Sequence, residues 1–333
     1  MINPKPSAIR LLAFLLITFA IQSCEPRQPG SWKNDQISSS DREKFHKLND
    51  ELFSRLKIND EKDLEQIMSR DLINYPYKNR SVELVSNRVK ATDYTLLEEY
   101  YVVNKYIDVD TVKTTSTNLN SYSIIYQGLT HQMYLAFFVP KNKTIANQEM
   151  ITAVYSKYDY GWKLSDLKVR SYTVNGKTAP QLYQQAKESY RKGYLMDAFN
   201  TASSAILCSH PSTLWRYAKE PEFTYFYNTV MKEAANHYKF PIVIDQVPTH
   251  PRIFNIFNQT TPEGDFPMIY YLSSIKLTDT TAVKQENERI KKVITQTFPG
   301  IDQNKKYVLY SAFNERPDGK KTVDHIDMES KLK

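Results

Sequence analysis

The sequence is poor in the residues that mark the common catalytic folds. Its eight glycines stand singly, so no G-x-G-x-x-G, no Walker A loop and no G-x-S-x-G elbow can be written along the chain. Dinucleotide, P-loop and hydrolase chemistry through those motifs is excluded. Two cysteines are too few for a disulfide framework. The six histidines are scattered, and His131 has no partner at a metal or triad spacing. No apolar run reaches the about 20 residues that a bilayer-spanning helix needs. Charge of one sign is lacking too: 44 Lys and Arg stand against 37 Asp and Glu, spread evenly over both halves, which argues against nucleic-acid binding. With no metal-ligand cluster and no catalytic constellation, no cofactor, metal or catalytic residue is expected. What is plentiful is tyrosine, 24 residues in 333, so aromatic strands and cores are the main material.

The N-terminus carries an address. Lys5 and Arg10 form a basic head, Leu11 to Ile21 an apolar run broken by Thr18, and Gln22-Ser23-Cys24 follows. This is the layout of a secretory signal peptide over residues 1–23. Residues Ile21-Gln22-Ser23-Cys24 resemble a bacterial lipobox, with Gln22 departing from the usual small or aliphatic choice, as in the looser boxes of Bacteroidetes-type lipoproteins. The resemblance implies cleavage before Cys24, diacylglycerol on its sulfur and acylation of its new amino group. Cleavage removes Lys5 and Arg10 and no acid, so the net charge falls from +7 to +5. The expected product is a cell-envelope lipoprotein held to a membrane by its lipid. Residues 24–40, rich in Pro, Ser and polar groups, read as a tether. Surface-exported lipoproteins of this kind carry an acidic run after the cysteine; Glu25 stands alone, so a periplasm-facing position is expected. Cys208 follows Ala205-Ile206-Leu207 and reads as a buried structural thiol.

The fold class read from the rest is α+β. In residues 41–177 Asp41 is placed to cap a helix with Phe45, Leu48, Leu52 and Leu56 on one face. Asp60 caps a second, with Leu64, Ile67, Met68 and Leu72, ending before Tyr75-Pro76. After a less legible stretch the period becomes two, giving strands over 94–109, 121–127, 131–139, 150–158 and 162–172, with the plainest hairpin at Tyr158-Asp159-Tyr160-Gly161-Trp162. Helices followed by a curved antiparallel sheet ending in ITAVYSKYDYGWKLSDLKVRSY resemble the NTF2-like cone fold. That family includes ketosteroid isomerase-like enzymes and many non-catalytic binding modules, and its cone encloses a pocket. Tyr126, Tyr134, Phe138 and Tyr155 are the residues expected to point into one here. Asp108 and Asp110, the carboxylates nearest a strand end, read as a solvated turn.

Residues 178–239 change texture. Thr178 caps, Pro180 fits a first helical turn, and Leu182, Ala186, Gly193, Leu195, Ala198, Ala202, Ala205 and Pro211 fall at or beside tetratricopeptide positions. The segment resembles a single tetratricopeptide-type hairpin, and one unit cannot build a peptide groove. A helical hairpin packed between domains is therefore expected, covered by a third helix over 221–238. Residues 240–316 read as a small β-β-β-α-β unit, and 317–333 as a flexible tail. His250, Asp245 and Asp265 have no spacing that demands a site. The functional expectation is a protein-interaction or scaffold module of the envelope with an envelope protein as partner. The alternatives are a small-molecule-binding or isomerase-like protein using the cone pocket, and glycan recognition by exposed aromatics.

Overall fold

The computed structural model describes residues 28–332 except 59 and 114–118. The expected signal segment and the expected lipidation residue Cys24 lie outside the described residues. The chain is a mixed α+β protein of three sheets and, among the described residues, eight helices. None of these helices is long and apolar enough to cross a membrane.

The main sheet is antiparallel throughout: β1 (Gly30–Lys33), β2 (Tyr94–Val103), β5 (Gln132–Pro140), β6 (Glu149–Tyr158) and β7 (Gly161–Ser171), in that order. Both of its faces are covered. Tyr134, Ala136 and Phe138 of β5 face α1 (Ser39–Ile58), α2 (Glu61–Glu65), α3 (Arg70–Ile73) and α4 (Lys78–Ala91). Met133, Leu135, Phe137 and Val139 face the other way, into a second core. That double burial is why β5 is apolar at almost every position rather than at alternate ones.

The second core is roofed by a small sheet of β3 (Val109–Lys113), β4 (Tyr122–Gln127) and β8 (Trp215–Tyr217). β8 lies beyond the helical hairpin in sequence yet pairs Tyr217 with Tyr122, and the Tyr122 and Trp215 rings stack at 3.4 Å. The hairpin itself, α5 (Ala179–Arg191) and α6 (Leu195–Leu207), turns at Gly193, whose φ of +77° lies in the region glycine favours. Thr178 and Gln181 form a capping box at its start. Leu182, Tyr183, Ala205 and Cys208 enter the second core, with Phe223 of α7 (Glu220–His237). Met196, Ala234 and Tyr238 turn into a third.

That third core belongs to the C-terminal sheet, ordered β13 (His325–Lys331), β12 (Tyr307–Phe313), β11 (Gly264–Leu272), β10 (Arg252–Thr261) and β9 (Ile242–Val243). Its pairs are antiparallel except β11 with β12, which are parallel because α8 (Thr280–Thr297) crosses over between them. Asp279 caps α8 by accepting from the Ala282 N–H. Polar joints fix this unit to the rest. The Asn175 side chain accepts from the Asp265 N–H at 2.7 Å and donates to its carbonyl at 2.8 Å, while Asn147 donates to the Asp265 carboxylate at 2.7 Å. On the hairpin side Lys305 and Asp197 form a buried ion pair at 2.6 Å, and Ser189 donates to the same carboxylate.

Several expectations need correcting. The tether does not run to residue 40: Gly30–Lys33 is a strand, and α1 begins at Ser39 with Ser38 Oγ accepting from the Asp41 N–H, so Ser38 and not Asp41 is the cap. The helix expected from Asp60 is two short ones, broken where Met68 bridges Leu164 of β7, although Asp60 does cap the first. The less legible stretch is α4. The long strand expected over 94–109 is β2, a turn and the start of β3 in another sheet. The expected flexible tail carries β13, an edge strand paired along the whole of β12. An edge strand needs backbone partners and one apolar face, and Ile326 and Met328 alone give too weak a pattern to read.

Candidate functional site

The helix-facing side of the main sheet, where a pocket was expected, is occupied by α1. Phe45, Leu52 and Leu56 recur at helical spacing and are all essentially inaccessible. The Phe45 ring stacks on Tyr134 at 4.3 Å and meets Trp162 edge-on at 5.1 Å. Tyr134 in turn stacks on Tyr155 at 5.7 Å, and Phe53 packs edge-on against Phe138 at 4.8 Å. Three of the four expected pocket residues are therefore brought together in one core; Tyr134 is wholly filling, while Phe138 and Tyr155 also reach the walls of cavities at its rim.

Tyr126 is on the opposite side of the sheet, and this corrects the expected quartet. β4 leaves the main sheet for the small one, so Tyr126 joins the second core, its hydroxyl donating to Asn104 Oδ1 at 2.8 Å. Burial, with the neighbouring Asp110 carboxylate, raises its phenol above the ordinary range. Asp108 is exposed, and its carbonyl accepts from the Gly128 N–H. Exposed His250 and Asp245 pair at 3.5 Å, while Asp265 is buried in the joint with Asn175.

At the rim of the filled face a cavity of about 460 Å³ remains, its walls including His46, Asn49, Phe53, Tyr94, Phe138 and Lys141. Behind His46 and Asn49 lies a buried polar cluster that sequence reasoning missed. Glu99, 3% exposed, accepts from the Tyr134 hydroxyl at 2.8 Å and sits 3.2 Å from His46 Nε2 through both oxygens. Asn49 Nδ2 donates to the same tyrosine oxygen at 2.8 Å. Its Oδ1 is buried with no hydrogen-bond partner, an uncommon state for an interior acceptor. Burial, then the charge of Glu99, holds the Tyr134 hydroxyl protonated far above the usual phenol range.

The cluster exists because of one extra residue. The register of β2 against β5 shifts between Leu96 and Glu98, so Leu96, Glu99 and Tyr101 share the helix-facing side and Glu98 turns away to pair with Lys33 at 3.0 Å. Strict alternation from Leu96 would have put Glu98 inside. No local sequence signal marks such a bulge; the fact that Glu98 and Glu99 are adjacent, with one certain to face inward in a sheet covered on both sides, was the nearest hint.

Chemically, a buried carboxylate hydrogen-bonded to a tyrosine and an accessible imidazole can relay a proton to the cavity through His46. Among the described residues no group of acidic, histidine and cysteine side chains is arranged to hold a metal ion. Cys208 is buried beneath the small sheet with Sγ 3.3 Å from the Ser204 carbonyl, and burial pushes its thiol up to about 12. No protein-family model, curated protein or solved structure matches this chain, so the geometry alone has to carry a functional reading.

Proposed function

We propose that the chain is a lipoprotein of the bacterial cell envelope, anchored through Cys24 and facing the periplasm, that works as an interaction or scaffold module. In this reading residues 41–177 are an NTF2-like unit, 178–239 a tetratricopeptide-type hairpin with its covering helix, and the remainder a small α+β unit. The observation that supports it most directly is the filling of the helix-facing side of the main sheet by Phe45, Leu52 and Leu56, which favours external surface as the place for recognition. The hairpin points the same way: with one side in the second core and the other in the third, it joins two units rather than offering a groove. Crosslinking in intact cells tests the proposal. It expects a reproducible protein neighbour, and a chain purified gently from its host that carries a stoichiometric small ligand by native mass spectrometry would overturn it.

A second reading is favoured by the unpartnered Asn49 Oδ1 beside the rim cavity and the Glu99–Tyr134–His46 cluster behind it. There the NTF2-like unit binds a small polar molecule or runs isomerase-like proton transfer. A ligand lost on Asn49→Leu and on Glu99→Gln, in variants that still fold, is its signature.

A further inference from the structure

At one end of the main sheet the chain exposes apolar side chains that the fold has no use for. Tyr106 is 70% exposed, Ile107 51%, Val109 61% and Leu129 42%, with Ile125 beside them at 38%. They come from the β2–β3 connection, the start of β3, β4 and the β4–β5 connection. The pairing of Val109 with Gln127 and of Thr111 with Ile125 puts Val109 and Ile125 on the same outer face. Lys105 lies over the Tyr106 ring at 5.1 Å.

This tip is held stiffly. Buried Asn104 donates its N–H to the His131 carbonyl and its side-chain amide to the Thr130 carbonyl, both at 2.7 Å. Its Oδ1 accepts from Tyr126, and the Gly128 N–H closes onto the Asp108 carbonyl at 2.8 Å. The two connections are thus stitched into one projection, and Tyr126 is one of its props.

The same end is where the N-terminus leaves. β1 is antiparallel to β2 and pairs Gly30 with Val103, so the chain before Gly30 heads toward the side from which residues 104–107 project. From Cys24 to Gly30 the contour is at most about 20 Å at the extended rise per residue.

We propose that the tip formed by Tyr106, Ile107, Val109 and Leu129 enters the interface of the membrane that carries the lipid anchor, fixing the orientation of the protein on the bilayer. The inference rests on the lipid-anchor reading of Cys24. A lipid surface is the occupant that the geometry favours, because a bilayer holding the acyl chains is already within reach of the tip. An exposed tyrosine among aliphatic side chains suits the headgroup boundary. Lys105 stands against Asp108 and Asp110, so the tip has no excess of positive charge, and apolar insertion and not attraction to anionic lipid is its driving force.

The test uses the full-length lipoprotein, made in a host that acylates it and reconstituted in vesicles of phosphatidylethanolamine with a minority of phosphatidylglycerol. Ile107→Cys and Ile58→Cys are each labelled with an environment-sensitive fluorophore. Ile58 is 69% exposed at the end of α1, where Lys57 bonds Asp93 at the far end of β2. Nitroxide-bearing lipid is expected to quench the probe at 107 several-fold more than the probe at 58. The mass of the N-terminal peptide reports acylation independently. A chain without acyl mass overturns the anchor and the tip together, whereas an acylated chain with equal, weak quenching at both positions overturns the tip alone. Shielding of the 107 probe from aqueous iodide without lipid quenching would mean that a second copy covers the tip, which also overturns the proposal.

Discussion

Tyr134 and Tyr106 lie on or just beyond neighbouring strands of one sheet and have opposite fates: the first is fully buried under α1, the second is 70% exposed at the tip. The filled face and the bare tip are built from the same kinds of residue. What separates them is whether another element arrives to cover them, since apolar surface left in water costs about 25 cal/mol per Å² wherever it lies. A composition rich in tyrosine therefore says that large apolar surface exists, and the partner elements decide which part becomes core and which part stays available for contact.

That contrast can be broken or sharpened by substitution, beginning with the interior. Lys305→Met should destabilise the protein by about 3–5 kcal/mol in urea unfolding, because it leaves Asp197 buried without its cation; adding Asp197→Asn should recover most of the loss. Phe45→Ala should also cost about 3–5 kcal/mol, and a cost near zero would mean that the core under α1 is loosely filled and the contrast with the tip false. Asn175→Ala, which removes both bonds to the Asp265 backbone, should cost about 1–3 kcal/mol and make the C-terminal unit the first to be cut in limited proteolysis. At the other extreme, Ile107→Asp should change stability by less than about 0.5 kcal/mol, since the tip contributes nothing to the core.

Cys208 gives the same contrast a pH dependence. Its folded thiol is raised to about 12 from an ordinary 9.0 by burial, so the folded state holds the proton more tightly than the unfolded chain. The sign follows: the stabilisation is fully present below the unfolded value and lost as pH rises through the folded one. A disulfide reagent at about pH 8 should leave Cys208 untouched until the protein unfolds; reaction at the rate of a free thiol would show that the second core is open.

Element types were largely legible. The strands from Ser121 to Tyr172 lie within a residue or two of their observed ends because period-two runs bounded by Asn, Gly and Asp turns are local signals. The α5–α6 hairpin was legible for a similar reason, since a Thr178 cap, Pro180 in the first turn and Gly193 between the two helices are local signals. α4 was not, because Lys78–Ala91 buries few apolar side chains and is mostly polar. Of the expected pocket residues, Tyr134, Phe138 and Tyr155 share one face, because alternation along β5 puts Tyr134 with Phe138 and pairing sets Tyr155 opposite Tyr134. Tyr126 was misplaced because the departure of β4 into a separate sheet depends on β8, a strand some 90 residues away whose arrival no local pattern foretells.

The α+β class, most strand positions and the helical hairpin could be read from residues close together along the chain. Long-range packing settled that the face under α1 is filled, that a one-residue shift in β2 turns Glu99 inward against Tyr134, that Asn175 locks Asp265, and that the apolar tip and the start of β1 share one end of the sheet. Each of these is a contact between segments tens of residues apart. Such contacts are chosen by the joint packing of whole elements, which no local window of sequence contains.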